Sequence, residues 1–215
     1  MSDISADISG DLAATPAGIH VTHEAARRRR SEGPGADRSW RIGADGEIAV
    51  AAVLSRLTQE SVLDRALGRA PRWRVLHAVP LGLSEGRMRD IDHLVLGPPG
   101  VVTINTHHHP RGRVVVEGDS VLVGGRSVEH VASARAEAAR AEEALSAALG
   151  RPVRARPIVA LVGALLWQRR APAGVTVCTA ADLVATLNAL PPVWGRSEVA
   201  DAFAAARRPA TWVAR

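Results

Sequence analysis

A chain of 215 residues, 47% of them apolar and with a net charge of +5, is long enough for one substantial core with a tail. Its single cysteine, Cys178, excludes an internal disulfide and any multi-cysteine metal centre, and lies in the apolar run GVTVCTA as a core residue would. All 27 basic residues are arginine, so no lysine is available as a base, a Schiff-base former or a charge stabiliser, and the longest apolar runs are too short to span a bilayer.

Residues 1–38 read as a disordered tail, rich in Ser, Asp, Gly and Ala and closing on RRRRSEGPGADR. The start lacks both a basic segment and a continuous apolar stretch, so it does not read as a signal peptide, and the cytoplasm is the expected location. Arg27–Arg30 read as a short solvated charge run. The tail holds five Arg against six acids, leaving 22 Arg against 16 acids beyond it. The positive excess belongs to the folded part and permits a polyanionic partner.

From Ile42 the pattern becomes periodic. Val50, Val53, Leu54 and Leu57 have the i, i+3, i+4, i+7 spacing of an amphipathic helix, and Glu47 falls on the same inward stripe. A carboxylate there needs a partner, because burying one alone is costly; a first-turn Glu favoured by the helix dipole is the plainer reading. WRVLHAVP (73–80) reads as a strand and LGLSEGRMRD (81–90) as a loop. IDHLVLG and GVVTINT flank Pro98 and Pro99 as the arms of an antiparallel hairpin. A turn centred between the prolines sets Asp92 opposite Asn105 and Asp90 opposite His107, gathering the four into one polar quartet.

RVVVEGDSVLVGG reads as a second hairpin turning at Gly118 and Asp119. The alanine-rich run that follows reads as a long helix stopped by Gly150. RARPIVALVGALL and GVTVCT have the composition of buried strands, and AADLVATLNAL and SEVADAFAAARR of helices. The order predicts an α/β fold, a central mixed β-sheet flanked by helices, with residues 39–165 as the core domain and 166–215 as a C-terminal strand and helices packed on it.

Carboxylates, an amide and an imidazole on one face can hold a hard cation such as Mg²⁺ or Mn²⁺. Such an ion polarises a phosphodiester and lowers the pKa of water. Of the run His107–His109, neighbours alternate faces, so at most His107 and His109 point the same way; three histidines before PRG also suit a solvated loop. His93 faces away from Asp92 and reads as a structural histidine. Arg111 and Arg113, just beyond the hairpin, are candidate phosphate contacts as well as ordinary surface arginines.

GADGE at the first helix, DIDHLVLGPPGVVTINT, and the long helix after a second hairpin together resemble the nuclease-related domain (NERD) family over roughly Trp40 to Gly163. That family is placed among restriction-endonuclease-like folds of the PD-(D/E)xK type. The resemblance implies a metal-dependent phosphodiesterase site acting on DNA or RNA, in which Glu47 and Asp92 are ligands and the (D/E)xK triplet falls on Asn105, Thr106 and His107. Two departures follow. Asn105 offers a neutral carbonyl in place of an acid, and His107 stands where lysine is usual. His107, partly protonated at neutral pH, would then substitute for lysine, serve as a general base, or bind a softer cation such as Zn²⁺, Ni²⁺ or Co²⁺. Asp90 can compensate for the missing acid. The alternatives are a catalytically inactive module that binds nucleic acid through arginines and a protein-interaction domain.

Overall fold

The computed structural model describes residues 10–33, 35, 37–59, 62–84 and 87–212. Two sheets organise the chain, preceded by a short helix, α3 (Val62–Ala66). The larger has the order β1-β2-β3-β7-β9, built from β1 (Arg74–Ser84), β2 (Arg87–Gly97), β3 (Gly100–His108), β7 (Ala155–Val162) and β9 (Thr176–Thr179). β1, β2 and β3 run antiparallel, whereas β3, β7 and β9 are parallel, so the sheet is mixed. The smaller has the order β6-β5-β4-β8, from β4 (Arg113–Glu117), β5 (Ser120–Val123), β6 (Arg126–Val128) and β8 (Leu165–Arg170). The expected α/β architecture of mixed sheet and flanking helices is what forms.

Alternation along the strands sets the two cores. Val95, Val102, Ile104, Ile158 and Ala160 point to one face, where they meet Val50 and Leu54 of α2 (Arg38–Leu54) and Leu183 and Leu187 of α5 (Leu183–Ala189). Leu94, Leu96 and Val101 point to the other, against Ala141 and Leu145 of α4 (His130–Leu149) and Val199 and Ala202 of α6 (Arg196–Ala206). The buried stripe of α4 runs Val131, Ala134, Ala138, Ala141, Leu145, the helical period carried mostly by alanine. Gly150 ends it with φ 63°, the left-handed stop that the sequence indicates.

The hairpin register is the one read from the prolines: Gly97 pairs with Gly100 and His93 with Ile104. The Trp73 ring lies against the turn, where a Cβ on Gly97 would come within 2.1 Å of Cε3. Only glycine fits there.

Two expectations are corrected. The stretch 81–90 is not a loop: β1 continues to Ser84 and β2 starts at Arg87, the pairing Gly82↔Arg89, Leu83↔Met88 and Ser84↔Arg87 carrying the ladder on after a register shift between Pro80 and Gly82. The stretch read as a disordered tail contains a 3-10 turn at Leu12–Ala14 and a helix, α1 (Ile19–Glu32), while residues 1–9, 34 and 36 lie outside the described residues. What a search for apolar periodicity misses in α1 is polar: Glu24 accepts from Arg27 and Arg28, and Arg28 also reaches Glu32, all at i, i+3 or i+4. The helix lies on α2, where a Cβ on Gly43 would touch Val21 at 3.4 Å.

Candidate functional site

Beyond His93↔Ile104 the β2–β3 ladder stops. Asp92, the next residue of β2, uses its carboxylate where a backbone partner would be: Oδ2 accepts from Thr106 N–H at 2.5 Å. On the other side of β2 the irregularity is matched. Ala78, between the pairs His77↔His93 and Val79↔Ile91, has φ 48°, a left-handed conformation uncommon for a residue with a Cβ. Strands that separate at this point open a gap, and acids from both faces of the sheet enter it.

Glu47 enters from α2. It is 5% exposed, and its Oε2 accepts from Gly18 N–H at 3.1 Å. α2 comes this near β3 because residue 46 is glycine: a Cβ there would lie 2.8 Å from His108 Cβ. The GADGE motif thus has a packing reason as well as an acid. Asn105 enters from β3 and donates Nδ2–H to Glu137 Oε1 of α4 at 2.5 Å. Asp90, opposite Pro80 of β1 and beyond the end of the β2–β3 ladder, so not paired with His107 as expected, adds a further carboxyl.

The electrostatics state how crowded this gap is. Burial, then the charge of Asp90, pushes the Glu47 carboxyl up to about 7 against the pull of the Gly18 N–H. Burial pushes Glu137 up to about 8; the Asn105 amide and Arg89 oppose it, and the charges of Asp90 and Glu47 add to it. Asp92 is held well above the usual carboxylate range, by burial first and then by Glu47, Glu137 and Asp90. Burial raises Asp90 too, with His20 opposing. Four acids share a site in which Arg89 of β2 opposes the rise of Glu137 and His20 of α1 that of Asp90, so they cannot all ionise together.

Several atoms of the gap are buried without a hydrogen-bond partner: Asp90 Oδ2, Asn105 Oδ1 and Glu137 Oε2. A donor set made of oxygens, over-supplied with negative charge and left partly unsatisfied, suits a hard divalent cation. Among the described residues, no three His, Cys, Asp or Glu side chains are already grouped as a metal cage.

His107 goes elsewhere, so the expected quartet divides. Its ring stacks on His130, the first residue of α4, with centroids 3.4 Å apart and planes 13° apart. His109 stands on the same side, with Nε2 3.0 Å from His130 Nε2. Burial, then His130 and His109, pushes the His107 imidazole down to about 2. The expected partial positive charge is therefore absent at neutral pH, and His107 offers a lone pair rather than a cation. His108 faces α2 and hydrogen-bonds the Ile42 carbonyl at 2.8 Å. His93, buried, shares an Nδ1···Nδ1 contact of 2.7 Å with His77, as a structural histidine would. Arg111 and Arg113 lie outside the gap, on the turn after β3 and at the start of β4.

Glu137 is the residue that sequence reasoning missed. Its signal was present: it lies three residues after Ala134 and four before Ala141, on the buried stripe of α4, as Glu47 does on α2.

A family model for the nuclease-related domain (NERD) matches residues 42–162, more than half of the chain. The chain belongs to the nuclease-related domain family. The match begins in α2 just ahead of Glu47 and ends with β7, so it includes every element that contributes to the gap except α1. No curated protein and no solved structure matches the chain. No helix among the described residues is long and apolar enough to cross a membrane.

Proposed function

We propose that this chain is a metal-dependent phosphodiesterase acting on nucleic acid, weakened at the position where lysine is usual. The observation that carries the reading is the convergence of Glu47, Asp90, Asp92 and Glu137 in one gap between β2 and β3, with buried oxygens left unpartnered. Glu47, Asp92 and the Asn105 carbonyl would hold Mg²⁺ or Mn²⁺, with Asp90 and Glu137 adjoining; the ion would polarise the phosphodiester and make water a better nucleophile.

Each residue then has a part of its own. Asp92, fixed by Thr106 N–H, sets the centre of the acid group. Glu137 orients the Asn105 amide so that its oxygen, rather than its nitrogen, faces away from α4. Glu47 closes the α2 side and Asp90 supplies the charge that Asn105 lacks. His107, neutral and held far below the ordinary imidazole range, stabilises no charge and is a poor proton acceptor, and its Nε2 is left without a hydrogen-bond partner. The 22 Arg against 16 acids beyond residue 38 favour a polyanionic substrate.

The second reading, a binding module without catalysis, is favoured by one observation: His107, at the position where lysine is usual, is neutral. A panel of divalent ions on labelled single- and double-stranded DNA and RNA separates the two. Ion-dependent cleavage that vanishes in Asp92→Ala supports the enzyme; salt-sensitive binding without cleavage supports the module; neither behaviour supports a protein-interaction domain.

A further inference from the structure

The smaller sheet has two unlike faces. Val114, Val116 and Val121 point inward, against Val131 and Ala134 of α4 and Val159 and Leu161 of β7. The outer face carries Val115, which pairs with Trp167 on one side and Leu122 on the other, while Leu122 pairs in turn with Ser127. Directly paired residues share a face, so these four form a row across all four strands. Trp167 is 46% exposed, Leu122 36%, and Leu165, one step along β8, 58%. An exposed tryptophan beside exposed leucines on an open sheet is an unusual patch on a soluble surface.

Its charge identifies the occupant. Arg113, paired with Leu165, sets its guanidinium carbon 4.7 Å from the Trp167 ring centroid. Arg169, at the far end of β8, lies 3.7 Å from Glu117 at the far end of β4, and exposed Arg111 sits on the turn leading into β4. An arginine over an indole, with further arginines along the indole's own strand and on the turn before β4, is the combination that holds phosphates while a base stacks. The placement also fits. β3 and β7 run on into β4 and β8 through bonds from His109 N to Val162 O, Arg111 N to Gly163 O and Leu165 N to Gly112 O, so the Arg113 end of the face lies next to the end of β3 that bears Asn105 and His107.

We propose that the outer face of the smaller sheet binds single-stranded nucleic acid, with Trp167 stacking an unpaired base and Arg111, Arg113 and Arg169 contacting phosphates. This rests on the nucleic-acid reading above and extends it to substrate class: a duplex keeps its bases stacked on each other and can offer this face phosphates only.

The test is fluorescence anisotropy of labelled oligo-dT and of a blunt duplex of equal length, in EDTA so that cleavage plays no part. The single strand should bind more tightly than the duplex, and Trp167→Ala should weaken single-strand binding about ten-fold or more. Trp167→Phe, which keeps an aromatic face, should retain most of it, and Arg113→Ala should weaken binding and reduce its salt dependence. Trp167 is half exposed, so unchanged circular dichroism and melting of the variants check the fold. Single-strand binding unaffected by Trp167→Ala, equal binding of the duplex, or a self-dimer in ultracentrifugation that Trp167→Ala dissociates would each overturn the proposal while leaving the phosphodiesterase reading standing. Trp167-dependent binding by a chain that cleaves nothing would do the reverse.

Discussion

His107 differs from a lysine in more than reach. Buried against His130, it is neutral at neutral pH, so it cannot stabilise the negative charge of phosphoryl transfer. A lysine at this position points to the same side as Asn105 and has a flexible stem that can carry its ammonium toward the acids. His107→Lys should therefore raise the rate of metal-dependent cleavage by about ten-fold or more, given what removal of a charge stabiliser usually costs; an unchanged rate in an otherwise active protein would give position 107 another role. The neighbouring His130 yields a pH prediction. Burial, then His109, pushes it down to about 4 from an ordinary 6.5. The unfolded chain then binds the proton more readily than the folded one, so the stability His130 contributes is present above pH 6.5 and is lost as pH falls toward 4. His107 and His109, which face it from β3, are lowered as well. Melting curves of the wild type and His130→Gln should diverge above pH 6.5 and converge near pH 4.

At the scale of elements, one close approach places the acid of α2. Gly46 lets the helix touch β3 at His108, and Gly46→Ala would insert a Cβ 2.8 Å from His108 Cβ. The side chain of a strand residue packed under a helix gives little, so α2 should lift and carry Glu47 away. Stability should fall by about 1–3 kcal/mol in urea unfolding, with cleavage falling further than stability explains. The same elements show what the sequence made legible. The hairpin register followed from two prolines, and most of the strand and helix order from apolar periods, but RARPIVALVGALL, read as one buried strand, divides at Gly163 into β7 and the exposed start of β8 in different sheets; the long helix ended at its glycine. The continuation of the strands through 81–84 and 87–90 did not, because Gly82, Ser84, Arg87, Arg89 and Asp90 leave few strand-forming side chains and the pairing comes from the partner strand. Nor did α1, whose stabilising pairs are ionic. The candidate site was half legible. Glu47 and Asp92 were marked by a stripe and a motif, but the parting of β2 and β3, which sends His107 to a histidine stack and admits Glu137, is a tertiary fact.

Across the whole molecule, the two ends of the described chain meet. Leu12 packs in the α4–α6 core, its N–H donates to the Arg207 carbonyl at 3.0 Å, and Asp11 accepts from Arg207 Nε at 2.8 Å. From there the chain leads directly into Gly18, the donor to Glu47, and His20, which opposes the rise of the Asp90 carboxyl. Leu12→Ala should thus cost about 2 kcal/mol or more by urea unfolding and loosen the α1 side of the acid cluster with it. Above this the molecule stands or falls on one point, whether its crowded carboxyls exist to hold a cation. Isothermal titration calorimetry with Mn²⁺ on the wild type and Asp92→Asn tests it most directly. The asparagine can still accept from Thr106 N–H and removes one charge from a group that repels itself, so the variant should melt no lower than the wild type yet lose a single Mn²⁺ site that the wild type shows. No Mn²⁺ binding by the wild type, or binding that survives in Asp92→Asn, would contradict the account.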